Sequence, residues 1–207
     1  MDTILLLVSG ATKTIKKYKD NPNLGFLLTP RGGHDINIII DYGLKWAMDN
    51  DCFTGFNEQA FINTLKRIQG KQGCLFVNAP DVVGNAELTL KQFEYWQPII
   101  KSYDLPVSLV AQDGLDKCDV HWTKFGALFI GGTTEFKLGA YVRELVKEAR
   151  LRGKFVHMGR VNSKKRINYA RLIGCNSVDG SGFSMFPDTL IPRGLATLNQ
   201  QYWEEFA

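Results

Sequence analysis

The sequence predicts an α/β protein, most simply a compact (β/α)8 barrel of the TIM type. Short apolar segments typical of buried strands alternate with helix-forming segments, and about eight strand candidates occur. Polar residues follow many of these strands at their C-terminal ends, where both barrels and open parallel sheets form their active sites. Typical barrels have about 250 residues, so a chain of 207 residues must shorten some helices. An open, doubly wound sheet is the structural alternative.

The strand candidates are apolar runs bounded by residues that favour turns. They are residues 4–8, 25–28, 36–40, 45–48, 74–77, 107–110, 127–130, 154–158 and the segment that ends at Asp179. Acidic residues are poor strand formers, so a carboxylate at a strand end that is followed by Gly180 indicates a functional position. Aspartate is also an ordinary turn and cap residue, which is the competing interpretation.

The helices are predicted from apolar residues at helical spacing and from capping residues. They are residues 13–19, a helix after Asn57 that Gly70 ends, 88–103 with a bend at Pro98, an amphipathic helix over 136–152, a helix between Ser163 and Gly174, and 195–206. Residues 183–192 are predicted to be irregular. The capping residues of the helix before Asp179 are Asn162 or Ser163 at its start and Gly174 at its end.

Length and composition indicate a single domain over residues 1–207, with 44% apolar and 22% charged residues. No apolar run approaches the roughly 20 residues of a membrane span, and the run at 4–8 is too short for a signal peptide. We therefore expect a cytoplasmic protein without a membrane partner. The four cysteines are scattered and only three histidines occur, so we expect reduced thiols, no metal site and no cofactor.

Basic residues cluster in two places although the net charge is only +4. One cluster lies near the N-terminus, at Lys13, Lys16, Lys17 and Lys19. The other is Arg160, Lys164, Lys165 and Arg166, which precede and begin the helix before Asp179. Cations are favoured at helix C-termini, so a basic helix start suggests an external demand such as phosphate. An ordinary solvated surface is the alternative.

Residues at successive strand ends form a set suited to one task. They are Asp49, Asp81, Gln112, Gly131, Gly132, Met158 and Asp179. A flat heterocycle needs a carboxylate for its N–H groups, an amide for its carbonyl, glycine backbone for close approach and apolar faces on both sides. Phe53 and Met158 could supply those faces, and two further carboxylates suit cleavage of a glycosidic bond.

Six segments between about residues 45 and 183 resemble, in order, the tRNA-guanine transglycosylase family. The resemblance is to its short phage and bacterial branch, which places 7-deazaguanines into DNA. The segments are residues 49–53, 77–81, 109–114, 130–135, 157–159 and 174–179. They are similar to the family's Asp-Ser-Gly-Gly-aromatic segment, base-recognising Asp strand, Val-Gln-Gly-Gly turn, Gly-Gly segment, Leu-Met-Gly segment and nucleophile strand.

The resemblance implies a role for each residue of the set. Asp179 would be the nucleophile and Asp49 the acid/base, while Asp81 and Gln112 would recognise the base. The remaining roles would be backbone beside the 7-substituent for Gly131 and Gly132, and stacking for Phe53 and Met158. The implied partners are guanine sites in DNA and a free 7-deazaguanine base (preQ0 or related). Whether the protein acts alone, as a homodimer or with a partner subunit that completes the DNA contact stays open. The implied compartment is the bacterial cytoplasm, or the host cytoplasm for a phage protein.

The chain departs from the family pattern in ways that favour DNA over tRNA. The family's zinc-binding subdomain is missing, and Gly180 to Phe183 replace its basic Pro-Thr-Arg residues. Asp51 and Cys52 stand where the family has two glycines. An enzyme of tRNA or free nucleosides, and a catalytically inactive barrel that binds nucleic acid or a base, are the alternatives. Simpler structural interpretations are core packing for Met158 and Phe53 and a helix cap for Asp81.

Overall fold

The computed structural model describes residues 4–10 and 12–199 and contains a closed barrel of eight parallel strands. The strands are β1 (Leu5–Val8), β2 (Leu24–Leu28), β3 (Lys45–Met48), β4 (Cys74–Asn78), β5 (Val107–Ala111), β6 (Ala127–Ile130), β7 (Phe155–Met158) and β8 (Ser177–Asp179). Each strand pairs with its neighbour in the sequence, and β8 pairs with β1 to close the barrel, with Asp179 opposite Leu7. The predicted (β/α)8 barrel is confirmed, and the open sheet is excluded.

Helices connect the strands around the outside of the barrel. They are α1 (Thr12–Tyr18), α2 (Ile36–Asp41), α3 (Glu58–Ile68), α4 (Ala86–Lys101), α5 (Thr134–Leu138), α6 (Ala140–Leu151), α7 (Lys164–Ile173), α8 (Ser181–Met185) and α9 (Pro187–Asn199). The barrel is compact because several connections are short. Helices α1 and α2 have only seven and six residues, and β5 is followed by two single-turn 3-10 helices, Leu115–Lys117 and Trp122–Lys124.

Alternating side chains along the strands form two apolar layers. Leu7, Leu27, Ala47, Phe76 and Ala127 pack together inside the barrel. The residues between them on the strands belong to a larger core that also contains the inward faces of the helices. Because successive side chains of a strand point to opposite sides, β1 to β4, β6 and β7 contribute to both layers. The same alternation decides which residues beyond the apolar interior reach the C-terminal mouth of the barrel.

The predicted strand at residues 36–40 is wrong, because this segment forms helix α2. The side chain of Asp35 accepts a hydrogen bond from the backbone N–H of Asn37 and caps the helix. Ile36 and Ile39 are both buried, which is the spacing of one helix face. Isoleucine favours strands by propensity, and here the cap and the burial of two side chains three residues apart override that preference.

Two further differences concern helices. The helix predicted over residues 136–152 is divided at Gly139 into α5 and α6, while the prediction of an irregular segment at 183–192 is wrong because α8 and α9 occupy it. Residues 195–199 are helical as predicted, and the rest of the predicted terminal helix lies outside the described residues. Within the described ranges, no helix has the length and apolar character needed to cross a membrane.

Candidate active site

A single cleft at the C-terminal end of the barrel brings together most of the predicted site. Its empty volume is about 490 Å³, including the part of the mouth that is open to solvent. The cleft is lined by Asp49, Asn50, Phe53, Asn78, Asp81, Val83, Val110, Gln112, Phe129, Gly131, Gly132, Arg160 and Asp179. Parallel strands end at the same rim of the barrel, so residues that are far apart in sequence meet there.

Asp49 follows β3 and carries the most strongly perturbed carboxyl group of the cleft. Its Oδ1 accepts a hydrogen bond from the Nδ2 of Asn78 at 3.0 Å. Burial, and second to it the negative charge of Asp179, raise the pKa of Asp49 to about 7, although the Asn78 hydrogen bond acts in the opposite direction. A carboxyl group with this pKa exchanges a proton near neutral pH, as a general acid or base must.

Asp81 and Gln112, which also line the cleft, form a hydrogen-bonded pair. The carboxylate of Asp81 accepts hydrogen bonds from Asn50 Nδ2 at 2.7 Å and from Gln112 Nε2 at 2.5 Å. The side-chain carbonyl of Gln112 accepts from the backbone N–H of Gly84 at 2.9 Å. Burial raises the pKa of Asp81, and these hydrogen bonds lower it. Asp81 is not a helix cap, because Asn85 caps α4.

Cys52 supports this pair from behind. Its Sγ accepts a hydrogen bond from the backbone N–H of Asp81 at 3.3 Å. Burial raises the pKa of the Cys52 thiol to about 12, so the sulfur stays protonated at neutral pH. Cys52 therefore packs against the Asp81 side of the cleft. Asp51 before it adopts a left-handed backbone with φ of 60°.

Asp179 lies at the end of β8 and is held by two donors. Its Oδ1 is 3.0 Å from His157 Nε2 and accepts the backbone N–H of Arg160 at 3.2 Å. His157 is one residue before the predicted Met158, and the sequence analysis did not select it. The alternation of β7 could have identified it, because His157 points into the barrel with Phe155 and contacts the Phe76 ring.

Gly131 and Gly132 lie where a side chain would collide with the cleft wall. A Cβ at Gly131 would be 2.9 Å from Gln112 Nε2 and 3.0 Å from the carbonyl oxygen of Ala111. At Gly132 the backbone φ is 72°, and a Cβ would be 2.7 Å from an Asp113 oxygen. The two glycines therefore keep one wall of the cleft at backbone level.

Arg160 and Phe53 lie together at the mouth. The guanidinium carbon of Arg160 is 4.9 Å from the centroid of the Phe53 ring, and its NH2 group donates to the carbonyl oxygen of Gly132. Phe53 is 68% exposed, so it is not a core residue. Arg160 adopts a left-handed backbone with φ of 59°, a conformation that is costly outside glycine and concentrates at functional sites.

Four predicted residues do not line the cleft. Met158 is 2% exposed and packs outside the barrel wall, because the neighbouring His157 occupies the inward position of β7. Lys164 and Lys165 are exposed on the first turn of α7, and Arg166 donates to Thr134 Oγ1 at 3.3 Å. In the N-terminal basic cluster, Lys17 pairs with Asp188 and Lys19 with Asp20.

The described residues contain no group of three or more His, Cys, Asp or Glu side chains arranged to hold a metal ion. Asn78 is a second residue that the sequence analysis missed. It is fully buried, and its Oδ1 has no hydrogen-bond partner in the part of the chain that the structure describes. A polar residue at the end of an apolar strand, three residues before Asp81, was the available signal.

Comparison with solved structures supports the architecture. A structure of the tryptophan synthase a2b2 complex from Pyrococcus furiosus is 11% identical, with a TM-score of 0.57 and 95% of both chains covered. Tryptophan synthase from M. tuberculosis is 12% identical, with a TM-score of 0.59, covering 95% of this chain and 90% of that one. Mandelate oxidase is 12% identical, with a TM-score of 0.61, covering 93% and 70%.

These likenesses establish the fold alone. No protein-family model matches the sequence, and no curated protein matches it. The TIM barrel supports many unrelated reactions, so function has to be argued from the cleft itself. The cleft combines a proton-exchanging carboxyl group, a hydrogen-bonded carboxylate with one unengaged oxygen, and a carboxylate–amide pair beside a glycine wall.

Proposed function

We propose that this protein is a DNA-guanine transglycosylase, which replaces guanine in DNA by a 7-deazaguanine base. The observation that carries the proposal is the convergence of Asp49, Asp81, Gln112 and Asp179 on one cleft. The segmental resemblance to the tRNA-guanine transglycosylase family names the same four residues. Enzymes among the solved structures with this fold favour a catalytic role by analogy only.

Recognition of the base is assigned to the Asp81–Gln112 pair. Guanine presents adjacent N–H donors and a carbonyl acceptor on one edge, which a carboxylate and an amide can match. The hydrogen bonds from Asn50 and Gly84 hold both side chains in place before a ligand enters. A free 7-deazaguanine has the same edge, so one site can serve both the leaving and the entering base.

The chemistry proceeds by two displacements at C1′. A carboxylate oxygen of Asp179 attacks C1′ and forms the sugar ester while the bond to guanine N9 breaks, and Asp49 supplies the proton that the leaving base takes up. The entering 7-deazaguanine loses its N9 proton to Asp49, attacks C1′ and displaces the Asp179 carboxylate. Two inversions restore the configuration, and the pKa of Asp49 near 7 suits both proton transfers.

The proposed reaction requires the target base to leave the duplex. Asp49, Asp81 and Asp179 are half-buried at the strand ends, where a base stacked in a duplex cannot reach them. Flipping costs a few kcal/mol, and contacts to the flanking phosphates offset that cost. Arg160, Lys164 and Lys165 lie on the segment after β7 and at the start of α7, next to the mouth of the cleft.

The proposal is tested by offering DNA, tRNA and guanosine with radiolabelled guanine, each with an excess of unlabelled 7-deazaguanine. We expect loss of label from DNA, with none from the other two. Asp179→Asn should abolish the loss and the covalent adduct, whereas Asp20→Asn, at a carboxylate that is 89% exposed, should retain both. Label loss from tRNA or guanosine would support the alternative of an enzyme that acts on tRNA or free nucleosides. Base binding without label loss from any substrate would identify an inactive binding barrel.

A further inference from the structure

His157 is a buried imidazole that the proposed chemistry leaves without a role. It is fully buried inside the barrel, where its ring lies 4.7 Å from the Phe129 centroid and 5.2 Å from that of Phe76. Its Nδ1 is 2.7 Å from Ser177 Oγ, and its Nε2 is 3.0 Å from Asp179 Oδ1. Both ring nitrogens thus have one partner each, which fixes the orientation of the ring.

Serine, histidine and aspartate in a row also occur in hydrolase triads, but the burial is reversed here. In a triad the serine faces the substrate and the aspartate is buried behind the histidine. Here Ser177 is fully buried and Asp179 lines the cleft. Ser177 cannot act as a nucleophile from this position. Of the three residues, Asp179 is the one that can reach a substrate in the cleft.

The donors and acceptors of this row can be assigned from chemistry. An ionised carboxylate only accepts hydrogen bonds, so the Nε2 of His157 carries a proton and donates it to Asp179 Oδ1. In the neutral ring Nδ1 is then an acceptor, and the hydroxyl of Ser177 donates to it. Asp179 can only accept and therefore fixes the tautomer with N–H at Nε2, while the Ser177 hydroxyl satisfies the acceptor Nδ1 and orients the ring.

The two oxygens of Asp179 consequently differ. Oδ1 receives His157 Nε2–H and the backbone N–H of Arg160. Oδ2 receives no hydrogen bond from any residue in the described ranges 4–10 and 12–199, and Asp179 lines the cleft. An oxygen without hydrogen-bond donors keeps its lone pairs available and is the stronger nucleophile.

We propose that His157 is a positioning residue: its ring, oriented by the Ser177 contact at Nδ1, donates from Nε2 to Oδ1 of Asp179, so that Oδ2 attacks C1′. The inference rests on the proposed function. In the ester intermediate Oδ2 is bonded to C1′, and Oδ1 becomes the carbonyl oxygen that still accepts the Nε2 proton. When the entering base breaks the ester, the carboxylate charge returns to a site with two N–H donors. No proton leaves His157 in either step.

Two substitutions of similar size separate hydrogen-bond donation from packing. His157→Gln retains an N–H donor at about the position of Nε2, whereas His157→Leu fills the space without a donor. Misplacing a reacting group by about 1 Å can cost on the order of 100-fold in rate. We expect His157→Leu to reduce kcat for base exchange by about that factor with KM nearly unchanged, because His157 does not line the cleft. His157→Gln should recover most of the rate.

Nitrogen-15 NMR of the imidazole provides a measurement that does not depend on activity. We expect a protonated Nε2 and an unprotonated Nδ1 in the wild type, and in Ser177→Ala the same protonated Nε2 with an Nδ1 resonance that shifts because its hydrogen-bond donor is lost. A proton found on Nδ1 alone would overturn the assignment. Equal rates for wild type and His157→Leu, or equal losses for the Leu and Gln variants, would also refute the positioning role.

The two proposals fail in distinguishable ways. If the wild type exchanges no base in any polymer or nucleoside, the proposed function fails. The NMR spectrum then still decides whether His157 donates to Asp179, since the Nε2 resonance should shift in Asp179→Asn. If the leucine variant does not fold, Ser177→Ala, which removes the contact that orients the ring, should lower kcat with KM nearly unchanged, and an unchanged kcat would then refute the positioning role.

Discussion

The amide of Asn78 donates to Asp49 at 3.0 Å while its own carbonyl oxygen, buried in the barrel, has no partner among the described residues. A buried acceptor without a donor costs free energy. The presence of Asn78 at this position is therefore explained by its other amide group, the NH2 that donates to Asp49. The donated hydrogen bond stabilises the ionised form of Asp49 and keeps its pKa from rising beyond about 7. Asn78 thus sets the pH range in which Asp49 can exchange a proton.

Asn78→Leu should move the pH dependence of base exchange to higher pH. Removing the donor raises the pKa of Asp49, so the protonated acid persists to higher pH. A hydrogen bond to a charged group contributes about 1.5–3 kcal/mol, and we expect the alkaline limb of kcat to shift by about one pH unit. Asn50→Leu, which removes a donor to Asp81, should raise the KM for the free base and leave the limb in place. An unshifted limb in Asn78→Leu would contradict this assignment.

Asp49→Asn should change how stability depends on pH. Asp49 ionises near pH 7 in the folded protein, compared with an ordinary value of 3.8, so the unfolded chain releases the proton first. The folded state is therefore favoured most below about pH 4, and this stability is lost as the pH rises to 7. Because the carboxyl group lies in a partly open cleft, we expect a difference of only about 2 kcal/mol.

The measurement is urea unfolding of both proteins at pH 5 and pH 8. The wild type should lose stability relative to Asp49→Asn over this interval, and the variant should be the more stable protein at pH 8. Parallel stability curves would show that Asp49 has an ordinary pKa, and would remove the physical basis for its role as acid and base. Asp20→Asn serves as the control, since that exposed carboxylate should not alter the pH dependence.

Lys164→Gln combined with Lys165→Gln should weaken DNA binding in a way that depends on salt. Each phosphate contact contributes about 0.9 to the slope of log K against log salt for duplex DNA. Loss of two contacts should reduce the slope by nearly 2, with little change in kcat at saturating DNA. The matched control is Lys66→Gln with Lys101→Gln, which removes equal charge at the C-terminal ends of α3 and α4. An equal effect in both pairs would show that net charge alone attracts DNA.

The architecture was predictable because strand alternation and helix periodicity are local signals, and the closed barrel follows from their order. The segment at residues 36–40 misled the prediction because isoleucine is compatible with both structures, and the decisive signals were the Asp35 cap and the burial spacing of Ile36 and Ile39. Local propensity does not contain that information.

The carboxylates of the cleft were predictable from their places at the strand ends, but the residues that hydrogen-bond to those carboxylates were not. Strand-end carboxylates are visible in the sequence, whereas the contacts of Asn78 and His157 depend on which side of each strand faces inward. A shift by one residue exchanges the two sides. Met158 was therefore predicted to face the base, whereas its neighbour His157, in the same segment 157–159, is the residue that points into the barrel.

Gly131→Ala should impair recognition of the base and also lower the stability of the fold. The new Cβ would be 2.9 Å from Gln112 Nε2 and 3.0 Å from both the Ala111 carbonyl oxygen and Val110 Cγ1. The backbone cannot move without disturbing β6, so we expect Gln112 to shift away from Asp81. Loss of one buried hydrogen-bonding partner costs about 1–3 kcal/mol, which predicts a 10- to 100-fold rise in the KM of the free base.

Gly126→Ala is the matched control for Gly131→Ala. Gly126 precedes the same strand at its other end, and a Cβ there would meet no atom within 4 Å. Gly126→Ala should bind the base as the wild type does and unfold within about 1 kcal/mol of it, whereas Gly131→Ala should be destabilised by about 1–3 kcal/mol because it loses the Gln112–Asp81 contact. Equal KM values for the two variants would mean that the wall at Gly131 does not face the bound base. The KM for a base that lacks the carbonyl group should be the same in Gly131→Ala and in the wild type. Together with a raised KM for the normal base in Gly131→Ala alone, this result would locate the contact at Gln112.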